Sequence, residues 1–256
     1  MSQNALHTLS EALLAARRAG PALDDAAYAR HIGSADDAYA VQHAQLAALD
    51  GAGTVPRHWK SGGASREATL THAPLPRAGV LASGADASQL GLRHLLVEAE
   101  IALRLARDVT AAQAAALSHG AVDGLVDAMC VSIEMVDSRW ERYREAPALL
   151  KLADFQSHGA LVLGEFVPYQ ARDWARQECR VRIGDCKWRL FTGTHSLGTP
   201  EWLLPIWLRH ATAKTGATVP AGTVVTTGTW CGLLQARRGD VVEVGFDGVG
   251  EAKVRL

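Results

Sequence analysis

Val97-Glu98-Ala99-Glu100-Ile101-Ala102-Leu103 places two carboxylates two residues apart inside an otherwise apolar run. On a β-strand, residues i and i+2 share a face and stand about 6.6 Å apart at roughly 3.3 Å rise per residue, so Glu98 and Glu100 project together. Like charges side by side on a half-buried face cost free energy unless something positive lies between them. Val131-Ser132-Ile133-Glu134-Met135-Val136-Asp137 is a second apolar, strand-like run with an embedded acid. Two readings follow. In one, Glu98, Glu100 and Glu134 converge on a hard divalent cation. In the other, Glu98 and Glu100 lie on the wet face of an edge strand, with Val97, Ala99, Ile101 and Leu103 turned to the core.

Bulk properties set the class around that stretch. A chain of 256 residues can bury a large core as one domain or one with an appendage. A hydrophobic fraction of 48% and a charged fraction of 21% are those of a globular enzyme or binding protein. With Lys+Arg 26 against Asp+Glu 27, no whole-chain field gathers nucleic acid or an anionic membrane, so neither is expected as a partner. Met1-Ser2-Gln3-Asn4-Ala5-Leu6-His7 lacks the charged-then-apolar build of a signal peptide. No apolar run approaches the roughly 18 residues of a membrane span, and the expected location is cytoplasmic. Cys130, Cys179, Cys186 and Cys231 form no Cys-x-x-Cys pair and are expected as free structural thiols.

Outward from the acidic strands, the first fifty residues read as a helical layer, giving an expected helical portion over 1–55 and a catalytic portion over 56–256. Leu9, Leu13 and Leu14 recur at helical spacing before Gly20-Pro21, predicting a helix over 9–19. Asp24-Asp25 caps a short helical piece that ends at Gly33, and Ser34-Ala35-Asp36-Asp37 opens a helix running to Leu49. His58-Trp59-Lys60-Ser61-Gly62-Gly63-Ala64-Ser65 reads as a flexible loop that presents Lys60 to an anion or simply to water. Residues 69–84 read as loop, a lid or pocket wall. Short helices are expected over 108–117 and 121–129. Residues 149–164 read as a loop feeding a buried strand. Residues 179–192 form a hairpin about Gly184-Asp185, and a helix follows Thr199-Pro200. Strands close the chain, with a turn at Asp247-Gly248.

The order of these pieces resembles the fumarylacetoacetate hydrolase superfamily, and within it the branch of the 2-oxopent-4-enoate hydratases and 4-oxalocrotonate decarboxylases. The resemblance rests on Glu98-x-Glu100, Glu134-Met135-Val136-Asp137-Ser138-Arg139, Thr227-Gly228-Thr229 and Arg238-Gly239-Asp240. Asp37-Ala38-Tyr39-Ala40-Val41-Gln42, Lys60-x-Gly62, Gly79-Val80-Leu81, Ala153-Asp154 and Ser157-x-Gly159 match in the same order. Each motif is short, but together they run from about Leu9 to Leu256. Two loops depart from the family pattern. The Leu-Thr pair that follows the lysine motif in relatives is replaced by Gly63-Ala64, and Phe155 stands where an asparagine is common.

The resemblance implies an α+β fold, a mixed β-sandwich or roll with an N-terminal helical portion, assembled as a homo-oligomer and able to partner another enzyme of its pathway. It implies Mg²⁺ or Mn²⁺ on Glu98, Glu100 and Glu134, and three monodentate acids leave about half an octahedral shell for water and a 2-oxo acid. Lys60 and Ser157 take catalytic roles in this reading, and Thr227, Thr229 and His158 contact substrate, His158 also offering a base near neutral pH. Asp137 and Arg139 are expected to pair with each other or across a subunit contact rather than do chemistry. The implied activity is hydration of a 2-hydroxy-2,4-dienoate, through its 2-oxo-3-enoate tautomer, to a 4-hydroxy-2-oxo acid in aromatic meta-cleavage catabolism. Decarboxylation of a 4-oxalocrotonate-like diacid, or a non-catalytic partner subunit, are the alternatives.

Overall fold

The computed structural model describes residues 2–18, 20–120, 122–215 and 218–256. Three helices come first: α1 (Gln3–Arg17), α2 (Asp25–Tyr28) and α3 (Ala35–Asp50). Their starts follow from capping chemistry. Ser2, Asp24 and Ser34 each accept a hydrogen bond from a first-turn amide, which satisfies a donor that the helix itself leaves open. α1 begins six residues earlier than the leucine spacing indicates, and Ala19, at the expected end, lies outside the described residues. The helices bury Leu9, Leu13 and Val41 against Trp140 and Leu150, so the helical layer shares a core with the later chain.

Strands β1 (His58–Gly62), β2 (Thr71–Pro74), β3 (Val80–Ala82) and β4 (Leu96–Leu105) follow, then α4 (Ala111–Ala116), β5 (Val126–Val136) and α5 (Ala148–Ala153). Next come β6 (His158–Leu163), β7 (Val167–Pro168), β8 (Glu178–Ile183), β9 (Arg189–Thr192) and α6 (Leu204–Thr215). β10 (Val224–Thr226), β11 (Leu234–Gln235), β12 (Val241–Phe246) and β13 (Gly250–Arg255) complete the chain. The larger sheet runs β2-β1-β10-β4-β5-β6-β3, with β11 on β4 and β7 on β5; the smaller runs β13-β12-β8-β9. Two neighbouring pairs, β1 with β10 and β3 with β6, are parallel.

One face of the larger sheet supplies Trp59, Val97, Ile101, Met129, Ile133 and Val225 to a core shared with Val181, Val244 and Phe246 of the smaller sheet and Trp207 of α6. This is the mixed sandwich and N-terminal helical portion expected of the family. The opposite face carries the acids.

Four local expectations are corrected. Residues 58–62 form strand β1, because pairing with β10 and β2 supplies backbone partners that local glycine-rich sequence does not reveal. Residues 69–84 contain two strands rather than loop alone. The helix expected over 121–129 is a turn followed by the start of β5, where Val126 and Ala128 pair with Leu105 and Arg104; Ala121 lies outside the described residues. Residues 148–153 are helix α5, not loop. No described helix is long and apolar enough to cross a membrane. All four cysteines are free thiols.

Candidate metal centre

β4 and β5 pair antiparallel with Glu98 directly opposite Glu134 and Glu100 opposite Ser132. Strand parity puts Glu98 and Glu100 on one face, and the ladder adds Glu134 to it. One carboxylate oxygen from each lies within 4.8 Å of the others. Two oxygens on opposite sides of one Mg²⁺ or Ca²⁺ stand about 4–5 Å apart, so the three fall within reach of a single ion. β4 is a central strand and Glu100 and Glu134 are fully buried, which removes the wet-edge reading.

Lys60, on β1, donates from Nζ to Glu134 Oε1 and, at 3.2 Å, to the carbonyl of Gln156. β1 and β5 are three strand spacings apart, about 14 Å in a flat sheet. Their side chains meet because the sheet curls, and the curl forms the cleft. The Thr226 hydroxyl and the Gly228 amide, the latter at 3.0 Å, both donate to Glu100 Oε2. Glu134 Oε2 is buried and accepts no hydrogen bond. A buried carboxylate oxygen without a partner is costly, and a cation is the partner that this donor set suits. The residues present therefore fit a divalent ion.

Electrostatics agree with that fit. Burial, then repulsion from Glu100 and Glu134, pushes Glu98 up to about 8. Burial and Glu134 push Glu100 up to about 7, against the hydrogen bond from Thr226. Burial also raises Glu134, although Lys60 opposes it. For Lys60, burial alone disfavours the ammonium, but the attraction of Glu134 and Glu98 outweighs it and holds the group above its ordinary value. Lys60 therefore stays charged.

Backbone geometry shapes the remaining wall. Phe155, Gln156 and Ser157 all have left-handed backbone, with φ of 48°, 55° and 59°. Each such non-glycine residue costs of order 1–3 kcal/mol, and three in succession mark a constrained site. The turn delivers the Gln156 carbonyl to Lys60 and the Gln156 amide nitrogen to Thr71 Oγ1. Gln156 lines the cleft, about 380 Å³ in volume, with Lys60, the three glutamates and Thr229.

The other sequence-predicted site residues divide. Thr229 reaches the cleft, its hydroxyl bonded to the Gly232 carbonyl at 3.2 Å. Thr227 does not: it points to the opposite side of β10 and donates to the Ile101 carbonyl at 2.7 Å. Strand parity identifies Thr226 as the residue that touches the acids. Ser157 is buried in the left-handed turn and gives its carbonyl to the Asp137 amide; Gln156 takes the cleft position instead. His158 is buried beneath Glu134, with Nδ1 3.6 Å from Oε1. Burial, then the nearby Lys60 and Arg17, holds it well below the usual histidine range, so it is no base poised near neutral pH. Arg139 pairs with Asp137 at 3.3 Å, as expected, and more closely with Asp154 at 2.7 Å.

A curled mixed sheet with three carboxylates and one lysine converging in a cleft defines an α+β protein whose cleft donors fit a divalent cation. The chain belongs to the fumarylacetoacetate hydrolase family: the family model described as Fumarylacetoacetate (FAA) hydrolase C-terminal matches residues 66–256. It is similar to 2-keto-4-pentenoate hydratase 1 of Dechloromonas aromatica (strain RCB), with 32% identity over 158 residues. That match covers 60% of this chain and spans just over half, 57%, of the relative. The fold matches that of 4-oxalocrotonate decarboxylase from Pseudomonas putida G7, whose structures are complexed with calcium and acetate or with magnesium and adipate. There the TM-score is 0.81 at 20% identity, covering 100% of this chain and 98% of that one. A more distant likeness is 2-hydroxyhepta-2,4-diene-1,7-dioate isomerase from Mycobacterium marinum, with TM-score 0.54, 15% identity and coverage of 78% and 74%.

Proposed function

We propose that this chain is a Mg²⁺- or Mn²⁺-dependent hydratase that adds water to a 2-hydroxy-2,4-dienoate, through its 2-oxo-3-enoate form, to give a 4-hydroxy-2-oxo acid. The observation that carries this choice within the family is the charge of the cleft. Among the described residues that line it, Lys60 is the one cation, set against three carboxylates. A bound divalent ion and Lys60 together suit one substrate carboxylate and its adjacent oxygen. A second carboxylate, as in a vinylogous 2-oxo diacid, finds no further cation there. The similarity to the Dechloromonas hydratase supports the same choice.

When bound, the ion supplies a Lewis acid at the 2-oxo oxygen. Glu98, Glu100 and Glu134 would hold it, and the Thr226 and Gly228 donors fix the orientation of Glu100. Lys60, charged and anchored on the Gln156 carbonyl, steadies the negative charge that develops along the substrate's conjugated system. The Gln156 side-chain oxygen is buried without a partner in the same wall and accepts a hydrogen bond from the water that attacks.

The test follows dienoate absorbance for the purified chain with Mg²⁺ or Mn²⁺, alongside CO₂ release from 4-oxalocrotonate. Metal-dependent loss of 2-hydroxypenta-2,4-dienoate without CO₂ release supports hydration. CO₂ release from the diacid with no turnover of the dienoate supports the decarboxylase instead. Metal binding without turnover of either supports a non-catalytic partner subunit.

A further inference from the structure

His158 separates two spaces. One side faces Glu134 and the cleft; the other faces a cavity of about 410 Å³ between the C-terminal end of α1 and the start of β6. That volume is in the range of small-molecule sites. Its charge is opposite to that of the cleft. Four arginines, Arg17, Arg18, Arg93 and Arg139, line it against two aspartates, Asp50 and Asp137, an excess of two positive charges.

The donors are not all spent. Arg139 is engaged by Asp154, Asp137 and the His158 carbonyl. Arg93 gives one nitrogen to the Ala16 and Gly20 carbonyls, which neutralises the helix terminus and fixes its guanidinium at the cavity wall. Arg17 uses two nitrogens on Asp154 and the His158 carbonyl, but its Nε is buried and unpaired. Arg18 makes no side-chain hydrogen bond or ion pair among the described residues, and both ring nitrogens of the buried His158 are without partners. An added Cβ on Gly79, another wall residue, would lie 3.2 Å from His158 Nε2, so this nitrogen packs behind the cavity wall at Gly79. The rest of the lining includes Leu49, Leu90 and Leu92.

We propose that this cavity is a second binding site, for an organic carboxylate carrying a short apolar body. Guanidinium groups pair with a planar carboxylate through parallel N–H donors, and the leucines cover the hydrocarbon part. An inorganic anion would leave that apolar wall without a partner. The site stands whether or not the cleft performs the proposed hydration, because none of the three glutamates nor Lys60 contributes to it.

The probe is sodium hexanoate, titrated calorimetrically into the full chain in excess EDTA, so that no metal-held carboxylate forms in the cleft. One saturable hexanoate per chain is expected. Arg18→Glu should weaken it at least tenfold, and Ala78→Trp, which fills the cavity, should abolish it. Lys60→Met should leave it unchanged. Absence of saturable binding in EDTA, or binding that survives Arg18→Glu and disappears in Lys60→Met, overturns the proposal. Arg18 sits at the end of α1 with no side-chain partner to lose, so its replacement keeps the test decisive even if the tryptophan variant fails to fold.

Discussion

Glu98 and Glu134 face each other directly across the β4–β5 ladder, two acids in the register position where like charges repel most. Among the described residues Lys60 offsets them, bonding Glu134 and not Glu98. Such a pair costs free energy without a positive partner, and a divalent cation is the partner this donor set suits.

That cost has a definite pH dependence. Glu98 and Glu100 have folded values of about 8 and about 7, raised above their ordinary 4.5 chiefly by burial. A carboxyl with a raised folded pKa favours folding fully below its unfolded value, and the benefit is lost as pH rises through the folded value. In EDTA, stability should therefore fall between about pH 5 and pH 8, and Glu98→Gln should flatten the fall. Thermal melts at both ends of that window check this; a steeper fall in the variant contradicts it. Saturating Mg²⁺ at 100 times its Kd should raise the wild-type Tm at the alkaline end by roughly 5–10 °C.

Much of this arrangement is legible in the sequence, because it depends on local parity. Alternation in 97–103 and 131–137 places three acids on strand faces, and the capping residues Asp24 and Ser34 start helices where they should. What escapes is nonlocal. Residues 58–62 are a strand only because β10, more than 160 positions later, lies beside them. The run 121–129 mixes Ala128 and Met129 with Val122, Gly124 and Val126, and Leu105 and Arg104 recruit its second half into β5. Parity applied to β10 would have chosen Thr226 over Thr227. No local pattern announces the left-handed turn that puts Gln156 in the cleft and His158 behind it, since Phe155, Gln156 and Ser157 adopt positive φ without a glycine.

The two adjacent threonines separate site from scaffold. Thr226→Val removes the donor to Glu100 and the acceptor of the Ser132 hydroxyl, and should weaken divalent-ion binding about 10–100-fold. Thr227→Val removes only a bond to the Ile101 carbonyl and should cost about 1 kcal/mol of stability with ion affinity intact. Calorimetric titration and denaturant unfolding of both variants measure the contrast. Equal effects on ion binding would contradict the assignment.

Lys60→Met removes the cation that competes for Glu134 while leaving the three acids in place. Ion affinity should hold or rise, and kcat/KM should fall about 10²–10³-fold. Steady-state kinetics beside ion titration test this; a variant that loses both together would make Lys60 a structural residue.

Gln156→Gly relieves one strained left-handed residue and deletes the unpaired cleft acceptor. The variant should be at least as stable as the parent, yet turn over substrate at least tenfold more slowly, a stability–activity trade-off expected at a strained site. Unfolding curves and initial rates decide it. A variant that is both less stable and fully active would show that the turn serves the fold alone.

The central claim, that Glu98, Glu100 and Glu134 hold one divalent ion in the cleft, is tested most directly by titrating Mn²⁺ into the EDTA-stripped, dialysed chain and counting bound ion by electron paramagnetic resonance. One Mn²⁺ per chain, displaced by Mg²⁺ and lost in Glu98→Ala and Glu134→Ala variants that still melt cooperatively, is the predicted result. Stoichiometric Mn²⁺ binding that persists in both folded variants would contradict it.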